Sequence, residues 1–127
     1  MSRYSFPDGS TAVTLATPAA RTATVTGSAV DLNDYDGAVA LVQHIGVVSG
    51  TNPTWDGKIQ DSADGSTGWA DVTGATFVQV TASTAIEKIT LNSSACKRYI
   101  RYVGTLGGTS TPTFNSSATL IGQKATA

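Results

Sequence analysis

The part of the chain richest in potential ligands is Gln60–Trp69, QDSADGSTGW, with two aspartates, two serines, a threonine and two glycines. Oxygen donors at that density suggest calcium, but their spacing argues against it. A helix–loop–helix calcium site takes acidic or amide ligands at loop positions 1, 3 and 5, glycine at 6 and a bidentate glutamate at 12. With Gly65 at position 6, the ligand positions fall on Gln60, Ser62 and Asp64, and position 12 is Asp71, which is too short for that role. No helical pattern flanks the loop. The same residues fit a β-hairpin in which KIQDS pairs with GWADV. Asp64-Gly65 would then supply a two-residue turn with positive φ at both central positions.

The other reactive side chains are few and scattered. His44 is the only histidine and sits mid-strand among apolar residues. A serine–histidine–aspartate triad needs a serine and an acid beside it in space, and no motif supplies them, so His44 reads as structural. Cys96 is the only cysteine, which excludes an intrachain disulfide. Lys97 and Arg98 beside it would lower its pKa, yet it has no second cysteine to act with and reads as a packed or idle thiol. Cys/His metal sites are excluded by count. Asp31, Asp34 and Asp36 cluster in DLNDYDG; two of them at catalytic separation would suit acid–base chemistry, but such clusters between strands more commonly form Asx-turns. Trp55, Trp69, Tyr99 and Tyr102 could build a platform for sugars. With aromatics at only 7%, the large rings are needed for the core. The two NSS tripeptides, at 92–94 and 115–117, match the glycosylation acceptor pattern by chance in a chain this rich in serine and threonine. No catalytic residue, cofactor or metal is expected.

The elements that must position these residues read as short strands. AVTLA, at 12–16, alternates weakly and allows a first edge strand, but residues 1–20, with Pro7, Gly9 and Pro18, read best as an extended arm ahead of a domain over 21–127. Residues 37–48, GAVALVQHIGVV, are the strongest β segment. Val39, Leu41, Ile45 and Val47 share one face and Ala38, Ala40, Val42, His44 and Val48 the other. Both faces are largely apolar, so the strand is either central and covered on both sides or long enough to change partners. Further strands follow at WDGKIQDS, WADV, TFVQVTA, AIEKITL, KRYIRYVGTL and TFNSSATLIG. About eight short strands at this spacing argue an all-β, single-domain sandwich or barrel. A single helical turn at 82–88 is the only helical candidate.

Composition sets the remaining bounds. The 127 residues suit one domain with a core of its own. Charged residues make up 13% of the chain. That is about half the usual share, and Ser, Thr, Gly and Ala take their place, giving a surface suited to strands and turns. The net charge of −1 and the lack of a basic block leave no footprint for nucleic acid. MSRYSFPDGS has no apolar segment of signal-peptide type, and no run approaches the roughly 20 apolar residues of a membrane span. In RYIRY, alternation puts Tyr99 and Arg101 on one face and Arg98, Ile100 and Tyr102 on the other. An arginine on each face of such a strand suggests that one meets a subunit interface.

The run from Tyr35 to Val72, with its Gln-x-Ser-x-Asp-Gly-Ser and Trp-x-Asp-Val hairpin, and the later RYIRYVGTLGGTSTPTF and SATLIG resemble small head proteins of tailed bacteriophages, of the decoration or cement type. The resemblance covers residues 35 to about 122 and carries no catalytic residues. It implies a jelly-roll-like sandwich that coats the outside of an icosahedral shell, commonly as a homotrimer, with the major capsid protein as partner and the virion surface, assembled in the host cytoplasm, as location. On that reading the candidate contacts are Arg3, Tyr4, Phe6, Arg21, Arg98 and Arg101, and the arm laces subunits together. The alternative is a carbohydrate- or receptor-binding β-sandwich module of a phage tail or head fibre.

Overall fold

The computed structural model describes residues 10–124. The described residues form seven strands: β1 (Ser10–Arg21), β2 (Val25–Thr26), β3 (Val30–Asp31), β4 (Tyr35–Ser62), β5 (Ala70–Thr76), β6 (Ala85–Asn92) and β7 (Tyr99–Lys124). Two single 3₁₀ turns, Leu32–Asp34 and Ser93–Ala95, are the only helical elements among the described residues. All pairing is antiparallel, and the strands are linked in one continuous sheet.

β4 and β7 run 28 and 26 residues and pair with each other along nearly their whole length. This ribbon is folded over at its middle. Register shifts fall between Ile45 and Val48, Ser49 and Thr51, and Thr51 and Thr54. Such bulges bend a strand and raise its twist. Gly50 takes φ 103° there, and a Cβ on it would lie 2.6 Å from Pro112 Cα, so only glycine fits the corner. The fold divides β4 and β7 into two legs each. One half orders β1, the second leg of β7, the first leg of β4, and β6; the other orders β2 with β3, the first leg of β7, the second leg of β4, and β5. With β2 and β3 taken as one strand and each leg counted separately, this is the eight-stranded, two-layer jelly roll.

The number of short strands expected from sequence therefore corresponds to legs, and the segment at 37–48 is one that changes partners. It is not covered on both sides. Val39, Leu41, Gln43 and Ile45 are buried, while Ala38 and His44 are exposed, and the bulge after Ile45 leaves Val47 outside. The arm boundary at residue 20 requires correction: Ser10–Arg21 is an edge strand on β7, and its Leu15 and Ala16 enter the core. Residues 1–9, with Arg3, Tyr4 and Phe6, lie outside the described residues. The helical turn at 82–88 is absent; β6 begins at Ala85.

The two layers meet on a core centred on Trp55, Tyr102, Phe114, Leu41, Ile59 and Leu120. The Trp55 and Phe114 rings stand 5.5 Å apart and tilted, and Phe77 meets Tyr102 edge-on at 6.1 Å. Both are geometries that aromatic pairs favour. Gly104 lies flat beneath the indole, since a Cβ there would overlap Trp55 Cζ2. The aromatics weighed as a sugar platform are thus divided: Trp55 and Tyr102 are core, and only Trp69 and Tyr99 are partly exposed.

Candidate functional site

The QDSADGSTGW segment is the connection between β4 and β5, with Gln60 opposite Asp71 and Asp61 opposite Ala70. The hairpin holds, but its tight turn does not. Among residues 63–69 only Gly65 and Gly68 take positive φ, so Asp64 is not the first residue of a two-residue turn. Side chains shape the wider loop instead. Asp64 Oδ1 accepts from the N–H of Ser66 at 2.9 Å and of Thr67 at 2.8 Å, and Oδ2 accepts from the Thr67 hydroxyl at 2.6 Å. The buried Ser62 hydroxyl accepts from Gly65 N and donates to the Thr67 carbonyl. The bonds to Asp64, led by that of the Thr67 hydroxyl, hold its carboxyl well below the usual carboxylate range, because they favour the charged form. Of the oxygens that looked like ligands, those of Ser62 and Asp64 are consumed by their own loop.

Asp31 and Asp61 are similarly occupied. Asp31 caps the first 3₁₀ turn by accepting from Asn33 N, and receives Arg98 in a bidentate pair at 3.0 and 2.8 Å. Such forked, charge-assisted pairs are among the stronger hydrogen bonds. The Arg98 hydrogen bonds are the main cause lowering the Asp31 pKa. Asp61 is buried and accepts from Lys97 N at 2.9 Å. Burial first, and then the Asp61 charge, push the Cys96 thiol up, opposite to the activation its basic neighbours suggested. His44 stands on the outer face opposite Ile86 and Ser117. Among the described residues, no three His, Cys, Asp or Glu side chains converge to hold a metal ion, and no helix is long and apolar enough to cross a membrane.

The two outward faces differ in character. On the β5 half, Arg101 stacks 4.3 Å over the Trp69 ring and donates from Nε to Gln60 Oε1, a cation–π contact held in place by a hydrogen bond. Gln60 in turn donates to Asp71, which also receives Lys58 at 3.1 Å. The β6 half carries ladder rows of Ala12, Ile121, Ala40 and Thr90, then Thr14, Thr119, Val42 and Lys88, then Ser117, His44 and Ile86. Lys88 is the one formal charge in these rows.

The arginines singled out from sequence do not form one patch. Arg98 precedes β7 rather than lying on its inner face, so it pairs with Asp31 and packs 5.0 Å from the Tyr99 ring. Arg101 points outward as part of the polar network. Arg21, on β1, donates to the Thr17 carbonyl, and its Nε is buried without a partner among the described residues. Sequence reasoning passed over Gln43 and Glu87, which face each other across the β4–β6 ladder on the inward side. The available signal was Gln43 itself, a polar residue interrupting the Val39, Leu41, Ile45 alternation. Compared with known proteins, the chain matches no protein-family model and no curated protein sequence.

Proposed function

We propose that this protein is a non-catalytic structural component of a tailed-phage virion. It binds the outside of the assembled shell and cements neighbouring capsomers. The observation that carries the reading is the outer face of the β6 half: three ladder rows of small and uncharged side chains with Lys88 as the only formal charge, spread over four strands. A surface of this kind can pack against protein without desolvating ions. The self-occupied carboxylates of Asp31, Asp61, Asp64 and Asp71 fit a protein that does no chemistry. The hairpin at Gln60–Val72 and the RYIRYVGT strand add the likeness to decoration proteins. A protein that binds assembled shell more tightly than free capsid subunits stabilises the shell by mass action. A trimer would multiply weak contacts into a stable clamp.

Co-sedimentation with undecorated heads tests this. The protein should pellet with heads and saturate at a fixed ratio to capsid subunits. Replacing Val42 and Thr119, on the neutral face, with glutamate should abolish pelleting, whereas replacing Lys58 on the opposite face should not. A protein that remains in the supernatant, or pellets equally with both faces altered, sinks the reading. Because β1 belongs to the sheet, the amino-terminal contribution is tested by deleting residues 2–9, not 2–20.

A further inference from the structure

We propose that the cleft between residues 78–84 and β6 binds a small neutral polyhydroxyl ligand, a sugar ring, through the cross-strand pair Gln43 and Glu87. The cleft holds about 360 Å³, within the range of small-ligand sites. Its floor is built from the core outward. The Trp55 indole has only a donor, so the Tyr102 hydroxyl must accept from it, at 2.8 Å. Tyr102 is left with one hydrogen, which it gives to Gln43 Oε1 at 2.5 Å. That fixes the amide orientation. Oε1 faces Tyr102 and Gly57, where a Cβ would overlap it. The NH₂ group is turned the other way. It has no partner among the described residues, and it is not among the fully enclosed polar atoms. Gln43 is 1% exposed and lines the cleft, so this donor is the part of the residue that opens to it.

Glu87 stands opposite Gln43 in the ladder, so both side chains emerge on the same face and are near neighbours. Its Oε1 accepts from Val78 N at 2.8 Å, which leaves Oε2 as an acceptor. A donor and an acceptor from paired residues thus line one cleft. Vicinal hydroxyls answer both, one accepting from Gln43 and the next donating to Glu87. Thr81 and Thr84 extend the neutral polar lining, and Glu87 is its only charge, which disfavours anions. Val78 and Ile86, 73% and 70% exposed, offer the C–H faces of a ring something to lie against. The far wall is anchored at both ends: Val80 exchanges two backbone bonds with Trp55, and Thr84 N donates to the Gly46 carbonyl. The cleft is therefore preformed, which lowers the ordering cost of binding.

The experiment is an ¹⁵N-correlation NMR titration of the full chain, in which the Gln43 side-chain NH₂ is itself observed. The probes are D-glucose, D-galactose, D-mannose, their methyl glycosides, glucuronate and acetamide. At least one neutral sugar should shift the Gln43 NH₂ and the amides of residues 78–87 saturably, with a Kd on the order of millimolar. Glucuronate should bind more weakly. Glu87→Gln keeps an acceptor for Val78 N–H but replaces the free carboxylate oxygen, and should weaken binding about ten-fold or more. Thr81→Arg, on the exposed rim, should block the cleft and abolish the shifts even if Glu87→Gln does not fold. Retained affinity for the methyl glycosides identifies a glycan end as the source; binding of the free sugar alone identifies the monosaccharide. No shift with any sugar, shifts indifferent to both variants, or saturation by acetamide alone overturns the proposal. The titration uses no shell, so its failure and that of the cementing role are separate results.

Discussion

The Trp55 indole N–H donates to the Tyr102 hydroxyl across 2.8 Å at the centre of the core. Tyr102 lies on the first leg of β7 and Trp55 on the second leg of β4, neighbours in one layer. The bond continues to Gln43 on the first leg of β4, in the other layer. This buried chain of polar groups ties the two layers together and is satisfied at every atom it uses.

Tyr102→Phe should therefore cost more than an average hydrogen bond, because it strands both the Trp55 donor and the Gln43 acceptor. We expect a loss of about 2–4 kcal/mol in urea denaturation. The same residue sets an alkaline limit. Burial is the main influence pushing its pKa up to about 12, while the unfolded chain ionises near 10.0. Between those values the unfolded state has released a proton that the folded state keeps. Stability therefore falls as pH rises from about 10 to about 12 and is unaffected below that window. Tyr102→Phe should lose this slope. Tyr35, also raised by burial, leaves a residual one. An unchanged slope in the variant would contradict the assignment.

Asp64 organises the loop from outside the core. Its carboxyl is depressed from an unfolded value of 3.8. The order it contributes is fully present above that value and is lost as pH falls below it, toward the lower folded pKa. Carboxyl-detected NMR should find Asp64 still ionised where ordinary aspartates have taken up protons. Asp64→Ala should speed amide exchange at Ser66 and Thr67 by about ten-fold or more while leaving global unfolding nearly unchanged. Equal protection in the variant would show that the glycines alone define the loop.

Arg101 covers one face of Trp69. Arg101→Ala should red-shift Trp69 emission and increase its quenching by acrylamide, with Trp55 remaining shielded. The stability change should be about 0.5–1 kcal/mol, as befits a half-exposed cation–π contact. A quenching curve identical to that of the wild-type protein would mean that the stacking does not persist in solution.

Much of the fold was legible because it depends on local pattern. Alternation in AIEKITL and RYIRYVG marked strands, and the aspartate cluster in DLNDYDG marked a turn that the structure realises as a 3₁₀ turn capped by Asp31. The errors have physical causes. AVTLA alternates only weakly, since an edge buries only Leu15 and Ala16, so the sequence favours an extended arm over the first edge strand that the residues also allow. Asp64-Gly65 has the composition of a tight turn, but Ser62 and Thr67 provide competing hydrogen bonds that stabilise a wider loop.

By itself, the sequence determined an all-β single domain with little charge, one histidine and one cysteine, because alternation and composition act residue by residue. Only the tertiary structure decided that β4 and β7 are one ribbon folded over at Gly50, which depends on bulges that sequence spacing does not encode. It also decided which polar groups remain available. Asp64 is spent on its own loop, whereas Gln43, inconspicuous in sequence, is turned toward a cleft by a hydrogen-bond chain that begins at Trp55. A donor's direction is fixed by the partners around it, and those partners lie on strands far apart in the chain.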